Sequence, residues 1–292
     1  MTPIRRHGFL LAPQPAPPVA AAEAYADAAL EASAAPMPGL VVQRDIAWGP
    51  GPWQRFDIFA PPGNVDARRP VLVFLHGGGW QSGYKEWCGF MAPTVAALGA
   101  VLVAPTYRLA PEHRFPAFLL DTLGALAALR GEVGRFGGDP DRLFLSGHSA
   151  GGHLAAMAAL RPDLGEAAGL PRGVIRGALP LSGILDLHHP APAPGSLEAL
   201  VYENILTRPE DDAEASPVHW AAQASVPFFL AWGEHDTERV RRSNLLMAER
   251  LRAAGLPHGT ACYPGLDHFG THLALRDPSH PWYMELRRML AG

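Results

Sequence analysis

The stretch Leu143-Phe144-Leu145-Ser146-Gly147-His148-Ser149-Ala150-Gly151-Gly152-His153-Leu154 contains Gly-x-Ser-x-Gly directly after an apolar strand pattern and directly before an Ala-rich helical run. A serine hydroxyl is a weak nucleophile until a base takes its proton. A sharp strand-to-helix turn gives it the exposure that such chemistry needs. Gly147 and Gly151 leave room for a strained turn and for close contact of strand and helix. A helix beginning at Ala150 sets free backbone N–H groups beside the oxyanion that forms when Ser149 attacks a carbonyl. The motif alone arises by chance in glycine-rich loops; its flanks give it weight.

A second cluster, His76-Gly77-Gly78-Gly79-Trp80, follows the apolar run Val71 to Leu75. Consecutive glycines after a buried strand let backbone N–H groups turn toward a substrate oxygen. Gly78 and Gly79 are the expected donors, with Ala150 as the third. A phosphate-binding loop is the alternative, but neither G-x-x-x-x-G-K-S/T nor G-x-G-x-x-G is present, and the next lysine is Lys85. His76 precedes the donors and is expected to hold the loop.

The serine needs an imidazole, and the imidazole needs a carboxylate to fix its tautomer. The apolar run Val226 to Trp232 is followed by Gly233-Glu234-His235-Asp236, and Gly259 to Tyr263 by Pro264-Gly265-Leu266-Asp267-His268-Phe269. Asp236 and His268 are the expected acid and base; Glu234 and Asp267 are the competing acids. His268 and His272 stand four apart, yet H-E-x-x-H is absent, so zinc is a minor alternative and no metal is expected. His148 and His153 are read as packing beside the serine, and His188-His189 as solvated.

These side chains need a scaffold. Val41 to Trp48 and Trp53 to Phe59 look like an antiparallel pair joined by Gly49-Pro50-Gly51-Pro52. Val71 to Leu75, Val101 to Ala104, Leu143 to Leu145, Val174 to Leu181, Val226 to Trp232 and Gly259 to Tyr263 read as buried strands. Helical patterns at Met91 to Leu98, Phe118 to Arg130, Ala150 to Leu160 and Arg241 to Ala254 separate most of them. The alternation predicts an α/β fold, a mostly parallel sheet with helices on both faces. Residues 1–40, rich in Ala and Pro with a helix from Val19 to Ala32, read as an N-terminal arm or partial cap. Residues 41–292 read as one domain, with an insertion at about 186–220 forming a small cap. Trp80, Tyr84, Trp87 and Leu200 to Ile205 are candidates to wall an apolar substrate pocket, and equally suit the core.

The chain has 292 residues, 48% of them apolar and 18% charged, enough for a large buried core. A net charge of -4 without any Lys/Arg-rich run argues against nucleic acid as a partner. Cys88 and Cys262 lie in no metal or redox spacing, and both are expected to be buried free thiols in a reduced, cytoplasmic setting. Arg5 and Arg6 precede an apolar stretch that breaks at Pro13, Pro15, Pro17 and Pro18, so export is not indicated. No apolar run reaches membrane-spanning length. A homodimer is compatible with the sequence, which leaves the oligomeric state open.

Together these residues resemble two related families. His76 to Trp80, Tyr107-Arg108-Leu109-Ala110-Pro111-Glu112-His113-Arg114-Phe115-Pro116 and Phe136-Gly137-Gly138-Asp139-Pro140-Asp141 resemble the hormone-sensitive-lipase-like esterases, whose usual G-D-S-A-G-G has His148 at its second place here. G-H-S-A-G-G-H-L and an insertion ending in Ser216-Pro217 look more like the kynurenine formamidase (arylformamidase) branch, which commonly has an aromatic where Gly79 stands. The resemblance covers about residues 70–275. It implies the α/β-hydrolase fold with an eight-stranded sheet, a Ser149–His268–Asp236 triad, an oxyanion hole from Gly78, Gly79 and Ala150, and no cofactor. The implied activity is hydrolysis of small carboxylic esters or aryl formamides through an acyl-enzyme. A strict N-formylkynurenine formamidase is one alternative; the rival from another class is a catalytically inactive binding module on the same fold, which arises when the triad decays, whereas here every triad element is present.

Overall fold

The computed structural model describes residues 2–15 and 19–292; Pro17 and Pro18 of the proline-rich start lie outside the described residues. Strands β1 (Ile4–Arg6) and β2 (Phe9–Leu11) form an antiparallel hairpin of their own. The main sheet contains β3 (Val41–Ala47), β4 (Arg55–Ala60), β5 (Arg69–Leu75), β6 (Val101–Pro105), β7 (Gly138–His148), β8 (Ile175–Leu181), β9 (Phe228–His235) and β10 (His258–Asp267). Its order is β10-β9-β8-β7-β5-β6-β4-β3. The β3–β4 and β4–β6 pairings are antiparallel and all the others parallel, as the alternating sequence pattern predicts.

The helices follow in chain order: α1 (Ala20–Ala34), α2 (Ala92–Ala97), α3 (Ala117–Glu132), α4 (Ala150–Leu160), α5 (Pro162–Ala167), α6 (Leu197–Leu200), α7 (Pro217–Trp220), α8 (Glu238–Ala253), α9 (Gly270–Leu273) and α10 (Pro281–Ala291). Successive strand residues point to opposite faces, so each central strand feeds two cores. In β5, Val71, Val73 and Leu75 meet α3 and α4, while Leu72 and Phe74 meet α1, α2 and α10. Leu143 and Leu145 of β7 divide from Phe144 in the same way. Burial on both faces is why these runs carry no polar alternation. Beneath β9, α8 adds Val240, Met247 and Leu251 to Phe228 and Leu230.

Two strands outrun their apolar signal. β9 continues through Gly233 and Glu234 to His235, and β10 continues through Pro264 and Gly265 to Asp267, with a register shift after Tyr263 that absorbs those two breakers. One expectation is corrected: Cys88 is buried, but Cys262 is exposed. β10 is the edge strand, and only Tyr263 along it is buried. Between β8 and β9 the chain runs through α6, the single-turn π-helix Val201–Ile205 and α7. The backbone of this segment is tied to the sheet side, because Phe115 N–H donates to the Ile205 carbonyl at 2.8 Å and Arg114 Nη1 to that of Leu206 at 3.1 Å.

Candidate active site

β7 ends at His148 and α4 begins at Ala150, so Ser149 alone makes the turn, at φ 56° and ψ -117°. A non-glycine residue held there costs on the order of 1–3 kcal/mol. The turn is fixed from both sides, with Ser149 N–H donating to the Leu181 carbonyl at 2.9 Å and His153 N–H to the Ser149 carbonyl at 3.0 Å. Gly151 permits the approach: a Cβ there would lie 2.1 Å from the Leu75 carbonyl oxygen.

Ser149 Oγ lies 2.9 Å from His268 Nε2, and His268 Nδ1 lies 2.7 Å from Asp236 Oδ1. Those residues leave the ends of β7, β10 and β9, which the parallel topology brings to one edge of the sheet. The Asp236 carboxylate is fully buried and still well served. Its Oδ2 accepts from Ser182 Oγ at 2.6 Å and from Gly233 N–H at 3.2 Å, and Oδ1 also accepts from Thr237 N–H at 3.1 Å. Burial raises its pKa, but the His268 imidazole and these donors prevail and hold it below the usual carboxylate value. The rival acids are engaged elsewhere: Glu234 accepts from Gly265 N–H and Asp267 from Gly270 N–H.

The glycine loop after β5 is folded back on itself. The Gly78 carbonyl accepts from Gln81 N–H, Ser82 N–H and Ser82 Oγ, which commits it to the turn. Gly78 takes φ 115°, where a Cβ would sit 2.1 Å from the Ser82 carbonyl oxygen. The N–H groups of Gly78 and Gly79 donate to no acceptor among the described residues, and Ala150 N–H belongs to the first turn of α4, where no helical acceptor exists. His76 holds the loop, its ring stacked on Tyr107 at 4.3 Å and its Nδ1 2.8 Å from the Gly77 carbonyl.

Ser149, His268, Gly78 and Gly79 open on a cavity of 380 Å³. Trp80 and Trp87 line it; Tyr84 does not, since its hydroxyl reaches out to the Ala12 carbonyl at 2.7 Å. Leu200, Val201 and Ile205 line it from above, and Val19 and Tyr25 from the N-terminal segment. Its surface is thus largely apolar, as small-molecule sites are.

Three buried histidines surround the centre. His148 Nε2 donates to the His268 carbonyl at 2.7 Å, and the His148 ring stacks on His272 at 5.4 Å. His272 Nδ1 in turn meets Tyr25 Oη at 2.8 Å. His153 Nε2 donates to the Ala215 carbonyl at 2.7 Å. Burial, reinforced by the His268 charge, pushes His148 down to about 3, and burial pushes His153 to about 4 and His272 well below the ordinary value. Exposed His188 pairs with Asp212. Among the described residues no group of three or more His, Cys, Asp or Glu is placed to hold a metal ion. Ser182, Thr271, Tyr25 and Arg239 escape sequence reasoning, because nothing in their spacing marks them.

With this geometry in view, the comparisons with known proteins define the class: the chain belongs to the alpha/beta hydrolase fold family, which matches residues 72–272. Among individual proteins it is similar to esterase LipC of Mycobacterium tuberculosis, 32% identical over 240 residues that make up 78% of this chain and 60% of that protein. It is also similar to the isoprenylcysteine alpha-carbonyl methylesterase ICME of Arabidopsis thaliana, at 29% identity over 81% of this chain and 58% of that one. The chain thus spans about three fifths of the length of these two relatives. Kynurenine formamidase of Danio rerio matches at 28% over 81% of this chain and 78% of its own. The carboxylesterase EstE1 shares the fold, with a TM-score of 0.75 at 22% identity over 94% of this chain and 98% of that structure. Among the described residues no helix is long and apolar enough to cross a membrane.

Proposed function

We propose that this chain is a serine hydrolase acting on small carboxylic esters, with Ser149 as nucleophile, His268 as general base and Asp236 as the carboxylate that orients it. The continuous hydrogen-bond path from Asp236 through His268 to Ser149, opening on an apolar cavity, carries this reading. Ser149 Oγ attacks the ester carbonyl as His268 Nε2 takes its proton, and the oxyanion accepts from the N–H groups of Gly78, Gly79 and Ala150. The imidazolium returns that proton to the leaving alkoxide, leaving an acyl-enzyme. Water, deprotonated by the same imidazole, then releases the acid and regenerates Ser149. Asp236 stays ionised throughout and pairs with the imidazolium.

The described residues of the N-terminal arm, through Pro15, Val19, Ala22 and Tyr25, and the segment 186–220 serve as two partial caps over the cavity. Two free cysteines suit a reduced, cytoplasmic setting. Aryl formamides are the second reading. His148 beside the serine and the match to most of a kynurenine formamidase favour it, and the same steps apply with a formyl-enzyme. Parallel assays of Ser149→Ala and the unchanged protein on p-nitrophenyl butyrate and N-formylkynurenine test both readings. Loss of at least 10³-fold on the better substrate is expected, and full turnover by Ser149→Ala would end the proposal.

A further inference from the structure

Arg239 stands three residues after Asp236, in the first turn of α8, and lines the same cavity as Ser149 and His268. The only hydrogen bond of its guanidinium among the described residues is a long one, 3.4 Å from Nε to the Asp186 carbonyl. Its Nη2 is wholly buried and has no acceptor among the described residues. Other guanidinium groups of this chain meet a carboxylate. Partly exposed Arg108 forks onto Asp121 through two bonds of 2.8 Å; buried Arg161 forks onto Asp163 at 2.9 and 2.8 Å and lies over the Trp220 ring, although its Nη1 also has no hydrogen-bond acceptor among the described residues.

Arg239 as a whole is partly buried, but a guanidinium nitrogen withdrawn from water without an acceptor is an unfavourable arrangement that a carboxylate relieves, since its two oxygens match the planar fork. The cavity otherwise offers mainly apolar contacts, so an anionic group entering it has Arg239 as its natural partner. Glu198 also lines the cavity and works against an anion by charge. Burial lowers the Arg239 pKa, while Glu198 and Asp186 support its charge.

The geometry points to Arg239 as a specificity-determining residue that favours substrates carrying a carboxylate besides the bond to be cleaved. This inference rests on the hydrolase reading above and adds a substrate class to it. Two matched pairs place the carboxylate on either side of the scissile bond: 4-acetoxybenzoate against 4-acetoxybenzamide, and p-nitrophenyl hydrogen adipate against p-nitrophenyl hexanoate. In at least one pair, kcat/KM is expected to favour the anion, and Arg239→Met is expected to lower the anionic-to-neutral ratio about ten- to a hundred-fold, chiefly through KM. Arg239→Lys should recover part of that ratio, and Glu198→Gln should raise it. Turnover of the neutral esters by Arg239→Met reports that the variant is folded. If the neutral esters are hydrolysed and neither ratio moves in Arg239→Met, the carboxylate assignment fails while the hydrolase reading stands. If no ester is hydrolysed by the unchanged protein, both fall.

Discussion

His148 Nε2 lies 2.7 Å from the backbone carbonyl of His268, so the residue before the serine holds the main chain of the proposed base. Thr271 Oγ1 donates to the same carbonyl at 2.8 Å. Misplacement by about 1 Å can cost about a hundred-fold in rate. We therefore expect His148→Ala to lower kcat ten- to a hundred-fold with little change in KM. His148→Gln, which keeps a donor, should recover part of it. Steady-state kinetics on p-nitrophenyl butyrate distinguish this from a general loss of fold, which would scale the active fraction in both variants alike.

Asp236→Asn replaces the buried acceptor of the His268 Nδ1 proton by an amide that can present an N–H instead. The wrong tautomer then faces Ser149. Turnover should drop about 10⁴-fold. Ser182→Ala removes only one donor to the carboxylate, and should cost about ten-fold. Equal losses in the two variants would contradict the division of roles.

Much of this architecture is legible in the residues. The runs at Val71 to Leu75 and Val101 to Ala104 announce central strands because both faces are buried, and the helix expected over Ala150 to Leu160 has those same bounds in the structure. β7 begins earlier than its apolar signal, at Gly138, since Asp139 and Asp141 sit at its polar mouth with Arg68 and Arg130 as partners. The hairpin β1–β2 is too short and too charged to announce itself. Spacing puts Asp236 first but leaves Glu234 and Asp267 as competitors; separating them depends on where β9 and β10 end, which their internal glycines and proline disguise. Arg239 and Ser182 act through tertiary neighbours and leave no local pattern.

The two glycines proposed as oxyanion donors should respond differently to alanine. At Gly78 a Cβ meets backbone at 2.1 Å, so the turn must break; at Gly79, φ is 62° and nothing lies within 4 Å of a Cβ. Gly79→Ala should cost only about 1–2 kcal/mol for the left-handed backbone. Gly78→Ala should cost more stability and, in whatever protein folds, about a hundred- to a thousand-fold in turnover. Thermal melts and single-turnover rates check both.

Stability should fall steeply below neutral pH. His76, His148, His153 and His272 are neutral and buried when folded, with His76 and His153 at about 4 and His148 at about 3, but each binds a proton once unfolding returns it to the ordinary value of 6.5. The unfolded chain therefore takes up more protons as pH drops from 6.5 toward 4, and each such group removes up to about 1.4 kcal/mol per pH unit in that window. Urea midpoints measured from pH 7 to 4.5 should decline, and His153→Gln should decline less steeply. Parallel slopes would show that His153 does not contribute.

The most direct test is fluorophosphonate labelling followed by peptide mass spectrometry. One adduct per chain is expected, located on Ser149 and lost in Ser149→Ala, with labelling at least a hundred-fold slower in His268→Ala. An unlabelled chain, or an adduct on any other residue, would contradict it.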